Sequence, residues 1–452
     1  MRNDPAMDPY IKYYDLESGV LDFRKVGRSY GFPDMYKDVD HERVYHVEEA
    51  LSRLESDAAR IYHRIKKDHE SGKYKFSLSR GERNILRKFL FVMRYRSHKF
   101  WSKYTGTIDN YDFNDRDMLV EFLKERSITD LRQVWLLNLE VILRTEIDAD
   151  KEWLETIGRE MFPADANMYV FHMSESYVAF CEPESPEDEF ILTDNGFGIF
   201  EGPVIFDTAN FKSTGADGSL PRLQDSPYTE FHKLAPLSPR LILILRSNFL
   251  RGGPLWEKRR EFFRQWKAWP EGDSLLQDLP INPPDVRYWL LPGGRSKPVH
   301  TLDDEFTFEI YKVKTKQVHV LNTLMLQEAV RSITWVSDES LVRSVKAFLG
   351  NPSFMLHVSL GVFPEFTSFM ALRYQKQRLL SIWDKPYPTE EMRPLEEFNK
   401  MNERLRKSEH LQPYYKLGML ALSINLPRQI IYSSYQAEHL NSTAMIPFKR
   451  CY

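Results

Sequence analysis

Ala235-Pro-Leu-Ser-Pro-Arg-Leu-Ile-Leu-Ile-Leu245 is the stretch on which the fold turns. Its last five residues form an unbroken aliphatic run of strand length, entered through a turn-forming segment rich in proline. A second strand-like segment lies upstream in Phe190-Ile-Leu-Thr-Asp-Asn-Gly-Phe-Gly198, where Asp194 and Asn195 stand at the expected strand end. Loops carried by a rigid sheet often bear function. Asp-Asn-Gly also has a purely local reading, an Asx turn in which both side chains bond nearby backbone.

Outward from this pair, Tyr169 to Met173, Tyr177 to Cys181 and the alternating Phe306, Phe308 and Ile310 read as further short strands separated by long loops. Ile11 to Tyr14 and Val20 to Phe23, joined through Gly19, read as a hairpin. The region between is helical. From Val44, the positions Val47, Leu51, Leu54, Ala58, Ile61 and Ile65 follow in steps of three and four, one stripe on a long amphipathic helix. Ser79-Arg-Gly-Glu82 fits a capping box, so a second helix begins near Arg80. Its spacing predicts burial of Leu86, Phe89, Met93, Arg96 and Phe100. Helices follow over 115–126, 130–146 and 152–162, and Pro163 is expected to end that series.

The expected fold is α+β, a helix-rich N-terminal layer packed on a small, mostly antiparallel sheet with a helical C-terminal extension. The expected divisions are 1–168 for the hairpin and helices, 169–350 for the mixed region, and 351–452 for the extension. Six prolines and Gly293-Gly294 mark 270–298 as a surface insertion. A formal net charge of -3 gives no overall basicity, so any nucleic-acid or anionic-membrane contact must come from a local patch. Cys181 and Cys451 are the only cysteines, which excludes a disulfide framework and a cysteine-rich zinc site. The opening Met-Arg-Asn-Asp-Pro lacks the apolar core of a secretory signal, and the longest apolar stretch is shorter than the roughly 20 residues a membrane span needs. A cytoplasmic or nuclear protein without a membrane span is expected.

Glu48 and Glu55 lie along one edge of the first helix, about 10 Å apart at 1.5 Å per residue, too far to share one metal ion unaided. Arg96 on the next helix is the natural bridge, since a buried guanidinium needs an anion. This set reads either as an ion pair along a helix seam or as a polar cluster for a substrate or divalent metal. Between Arg80 and Lys103, eight basic residues face a single acid, Glu82, with aromatic rings interleaved. That face could attract nucleic acid or an acidic protein, or be a helix merely solvated on one side. Trp256 to Trp269 is a second basic and aromatic cluster, either a contact surface or a covering helix. Gly27-Arg-Ser-Tyr-Gly31 matches the spacing of a nucleophile elbow, but only a hairpin precedes it. His41 to His46 is one residue too long for a zincin pair, and Glu201 occupies the third glycine position of a dinucleotide fingerprint.

Val47-Glu-Glu-Ala-Leu-Ser-Arg-Leu-Glu55, Leu86-Arg-Lys-Phe-Leu-Phe-Val-Met-Arg-Tyr-Arg96, Leu192-Thr-Asp-Asn195, Pro236-Leu-Ser-Pro239 and Val320-Leu-Asn322 occur in this order. The ordered set resembles the domain-of-unknown-function family 4238, of fungi and bacteria, over roughly residues 10 to 350, and looks like a fungal member. The resemblance implies that Glu48, Glu55, Arg96, Asp194, Asn195 and Asn322 are the candidate catalytic positions. It brings no reaction with it. It also implies an opening His closely followed by Pro and a Leu-Arg-x-Phe segment, which this chain does not show; if that His contributes to a site, a truncated or inactive member is expected. Three classes of function stay open: a metal-dependent, nuclease-like hydrolase using Glu48, Glu55 and Asp194, a binding module using the Arg80 to Lys103 face, and a scaffold.

Overall fold

A computed structural model of the chain describes residues 10–16, 18–25, 41–111, 115–148, 151–194, 199–201, 231–265, 274–288, 300–329 and 331–350. The expected C-terminal extension lies outside the described residues. The helical layer comprises α1 (His41–Glu70), α2 (Arg80–Tyr95), α3 (His98–Trp101), α4 (Arg116–Arg126), α5 (Leu131–Arg144), α6 (Trp153–Glu160) and α7 (Pro163–Ser174). The strands are β1 (Tyr10–Asp15), β2 (Leu21–Lys25), β3 (Lys75–Ser79), β4 (Ser176–Pro183), β5 (Leu192–Thr193), β6 (Ile199–Glu201), β7 (His232–Ser238), β8 (Leu241–Ser247), β9 (Asp285–Arg287), β10 (Glu305–Val313) and β11 (Ser332–Trp335). Three helices complete the set: α8 (Pro254–Gln265), α9 (Thr315–Glu328) and α10 (Asp338–Gly350).

The architecture is α+β, as its sequence pattern implies, but the strands form two sheets rather than one. The larger runs β3-β10-β4-β8-β7-β6 with β9 beside β10, and the smaller runs β2-β1-β11-β5. Every pairing is antiparallel except β10 with β4, where Ile310 stands opposite Phe180. Gly19 takes φ 71° in the β1–β2 turn, a left-handed conformation that glycine adopts without a Cβ clash.

β8 explains why five consecutive aliphatics were needed. Leu241, Leu243 and Leu245 pack with Ala58, Ile61, Ile65, Leu86 and Leu90 of α1 and α2, whereas Ile242 and Ile244 pack with Leu321, Leu324 and Met325 of α9. A strand covered on both faces has no solvent side to carry polar residues, so alternation gives way to a continuous apolar run. Each fully buried aliphatic contributes about 1.5–3 kcal/mol by area removed from water. The α1 stripe is likewise divided: Val47, Leu51 and Leu54 enter the core of the helical layer, and Ala58, Ile61 and Ile65 cover the sheet.

Four local readings change. Pro163 opens α7 instead of ending the helices, because proline at the first helical position loses no intrahelical bond. Tyr169 to Met173 is therefore helix, despite its strand-like composition. α2 buries Arg87, Phe91 and Tyr95 together with Leu86 and Leu90, while Phe89 and Met93 are only half-buried. It lies between α1, α5, α7 and the sheet, so more than one of its faces is covered. In the proline-rich stretch, Leu276, Leu279 and Ile281 are buried core residues, so this part of the insertion is packed down, while Asp285 to Tyr288 stay exposed.

Candidate functional site

Arg96 does bridge the two helix-edge carboxylates. Its Nη1 lies 3.3 Å from Glu55 Oε1 and its Nη2 3.7 Å from Glu48 Oε1, and both glutamates are about half exposed, at 48% and 47%. At that spot a divalent cation would have to displace the guanidinium. Exposed pairs of this length contribute about 0–1 kcal/mol each. Arg96→Met is accordingly expected to shift the unfolding free energy by no more than about 1 kcal/mol, measured from urea midpoints; a loss of several kcal/mol would mean that the trio does more than pin α1 to α2.

The other candidate positions lie elsewhere in the fold. Asp194 closes β5 against β11, its backbone N–H donating to Ser332 O at 3.2 Å while its Oδ1 accepts from Ser332 N–H at 3.2 Å. Asn322 sits on α9 with no exposed surface. Its Nδ2 donates to Glu189 O and Ser344 Oγ, each at 2.8 Å, and its Oδ1 accepts from Ile191 N–H at 3.2 Å. These bonds tie α9 to α10 and to the approach to β5. Asn195 lies outside the described residues.

The basic residues from Arg80 to Lys103 mostly turn inward. Arg87 donates to the carbonyls of Met173 and Ser176, and burial, with the nearby charge of Arg80, draws its guanidinium down to about 10. Lys88 Nζ donates to Leu143 O at 2.8 Å and to Thr145 O at 2.9 Å, capping the end of α5. His172, behind Arg87, contacts Arg87 O through Nε2 and Lys233 Nζ through Nδ1, each at 2.7 Å. An ammonium can only donate, so Nδ1 accepts and Nε2 carries the proton. Burial and the Lys233 charge hold this imidazole well below the ordinary histidine value.

Lys103 enters a buried polar network. Its Nζ is 2.8 Å from Asp115 Oδ2 and 3.6 Å from Asp165 Oδ1. Asp165 Oδ2 also accepts from Tyr95 Oη–H at 2.6 Å, from Tyr104 Oη–H and from Asn138 Nδ2 at 2.9 Å. Tyr111 donates to Asp115 Oδ1 at 2.9 Å, and Asn138 Oδ1 accepts from Phe162 N–H at 2.9 Å, just ahead of α7. Burial opposes the charge on Lys103, but Asp115 and Asp165 outweigh it and hold the ammonium well above the ordinary lysine value. Burial, then the charge of Asp165, keeps the Tyr95 and Tyr104 phenols neutral. The network binds α2, α5, α7 and the segment ahead of α4 to one another, and its polar groups satisfy each other. Sequence spacing gave no sign of it, since Asp115 and Asp165 come from separate helix starts.

A different arrangement occurs at the other end of α2. Arg80 Nη2 and Nε donate to Asp304 Oδ2 at 2.7 and 3.1 Å, and Nε also reaches Thr301 O at 3.0 Å. The first amides of α2 are occupied: Arg80 N–H by Asp304 O, Gly81 N–H by Leu302 O, and Glu82 N–H by the Ser79 cap. Arg83, one turn on, has its guanidinium carbon 4.0 Å from the centroid of the Phe306 ring, over which Arg80 also lies at 5.2 Å. Its Nε is enclosed without a hydrogen-bond partner. Burial, followed by the charges of Arg87 and Arg80, places its proton affinity well below the ordinary arginine value.

His300 completes this corner. Its Nδ1 lies 3.3 Å from Arg80 Nη2, and its ring is 5.4 Å from that of Tyr288, tilted by 44°. Because Nδ1 accepts from the guanidinium, Nε2 carries the proton and can donate outward. Tyr288 is 42% exposed and the His300 side chain 47% exposed, so water reaches this corner. A cation–π seat fixes the Arg83 plane on one side and leaves its N–H edge to bond an anion. Tyr288 and His300 were invisible as partners in the sequence because they lie within and just beyond the proline-rich stretch, more than 200 residues from Arg83.

Among the described residues no group of three or more His, Cys, Asp or Glu side chains is arranged to hold a metal ion, and no helix is long and apolar enough to cross a membrane. No curated protein and no solved structure matches the chain. A family model does match, and it spans residues 8–339, from just ahead of β1 to the first turn of α10. The sheets, the helical layer and the Arg83 corner all fall inside that span, and the chain belongs to the family described as "Protein of unknown function (DUF4238)".

Proposed function

We propose that the protein binds a phosphate-bearing ligand at the corner formed by Arg83, Arg80 and His300. The observation that carries this reading is the state of Arg83. Arg80 donates to a buried carboxylate and Arg87 to two carbonyls through its Nη atoms, whereas Arg83 makes no such bond among the described residues: its Nε is enclosed without an acceptor and its cation rests on an aromatic ring. A charge removed from water without an anion is costly, and a ligand that supplies one recovers that cost. Phosphate suits the planar guanidinium edge, and the His300 Nε2–H adds a second donor. This narrows the basic face of Arg80 to Lys103 to its first turn, since Arg87, Lys88 and Lys103 are engaged inside the fold.

Two charge-assisted bonds of about 1.5–3 kcal/mol each correspond to dissociation constants on the order of millimolar for a small anion. Calorimetric titration with inorganic phosphate is expected to show such binding, weakened at least about tenfold in Arg83→Met, which keeps an apolar stem over Phe306 while removing the charge. Equal binding by the wild type and Arg83→Met would refute the assignment.

A further inference from the structure

Resting on that reading, we infer that the ligand is a nucleoside 5′-phosphate, free or at the end of a strand, with its phosphate on Arg83 and His300 and its base on Tyr288. A bare oxyanion would need only the donors. The corner has more than donors: a half-exposed tyrosine stands beside the donor histidine, its ring tilted against the imidazole at 5.4 Å. Phe306 is buried, with two guanidiniums over its ring, whereas Tyr288 offers an exposed aromatic surface at this corner. A base stacks on an aromatic ring irrespective of its identity, whereas a phosphorylated serine or a sulfate has nothing to place there.

The local charge supports a singly attached phosphate over a continuous backbone track. Asp304 neutralises Arg80, Asp303 and Glu305 stand in the same strand entry, and Glu305 faces Arg287 across the β9–β10 ladder, so carboxylates flank the Arg83 corner. A strand lying across this corner would meet carboxylates beyond one phosphate. A terminal monoester offers its charge at a single point.

Calorimetry on the full chain with inorganic phosphate, adenosine, AMP and a 5′-phosphorylated thymidine hexanucleotide tests this. AMP is expected to bind at least about fivefold more tightly than phosphate, the gain expected from one stacked base, and adenosine far more weakly than AMP. Tyr288→Ala should remove the AMP gain and leave phosphate binding unchanged; the side chain is exposed, and a retained thermal midpoint confirms folding. Tighter binding of the hexanucleotide than of AMP assigns the ligand to a strand end, and equal or weaker binding to the free nucleotide. If phosphate binds through Arg83 but AMP gains nothing over it, or Tyr288→Ala keeps the gain, the nucleotide inference falls while the anion site stands. If phosphate itself does not bind, both fall.

Discussion

Asp165→Ala is expected to lower the free energy of unfolding by about 3–5 kcal/mol, the range found when one partner of a buried ion pair is removed. The carboxylate is 2% exposed and accepts from two phenols and an amide while facing the Lys103 ammonium. Without it, Tyr95 and Tyr104 lose their acceptor, the Asn138 amide nitrogen keeps its bond to the Tyr95 hydroxyl, and Lys103 loses one of its two carboxylates. A typical domain has about 5–15 kcal/mol in total, so a loss of this size removes about a fifth or more of it. Asp165 also stands in the first turn of α7, where a negative charge complements the helix dipole. The check is the urea midpoint at unchanged slope. A shift below about 1 kcal/mol would show that the network can be dismantled without consequence, contrary to its burial.

Asn322→Ala should show the second large effect, a loss of about 2–4 kcal/mol from stranding buried groups and opening a small void. Three groups are left without their partner: Glu189 O, Ile191 N–H and Ser344 Oγ. The outcome also separates two roles for a position that the sequence resemblance had marked as a candidate catalytic residue. A connecting residue moves the thermal midpoint. A residue that acts only on a ligand would leave the midpoint in place and alter binding alone, so an unchanged midpoint would overturn the structural role.

Much of the framework was legible because its causes are local. The Ser79–Glu82 capping box forms as its spacing requires, both reciprocal bonds being present at 3.1 Å. The α1 stripe and the β10 alternation also appear where their periods place them, because burial on one face imposes the 3.6 or 2.0 repeat on the chain. Tyr169 to Met173 was misread since β-branched and aromatic residues favour strands only weakly, and here packing against Phe91 and Trp153 decides in favour of helix. Pro163 was misread for a related reason: proline marks a boundary without saying which side of it is helical.

The candidate site was legible only in part. Geometry on a single helix placed Glu48 and Glu55 correctly on one edge, and the cost of an unpaired guanidinium pointed Arg96 toward them. Nothing local could bring Asp194, Asn322 or the Arg83 corner into relation. Arg83 meets Phe306 and Tyr288 only because β3 pairs with β10 and β10 pairs with β9, with Leu78 opposite Phe306 and Phe306 opposite Val286. Similarly, Lys103, Asp115 and Asp165 meet because three helix boundaries converge.

The aliphatic run Leu241 to Leu245 and the α1 stripe determined by themselves that this chain builds an α+β core, since hydrophobic periodicity is a property of neighbouring residues. Which charges are neutralised and which are left open was decided only by the tertiary structure. Pairing energies depend on distance and burial across elements far apart in sequence, and for that reason Arg96 meets Glu48 and Glu55, while Arg83, unremarkable in the sequence, rests on the Phe306 ring with its Nε unbonded.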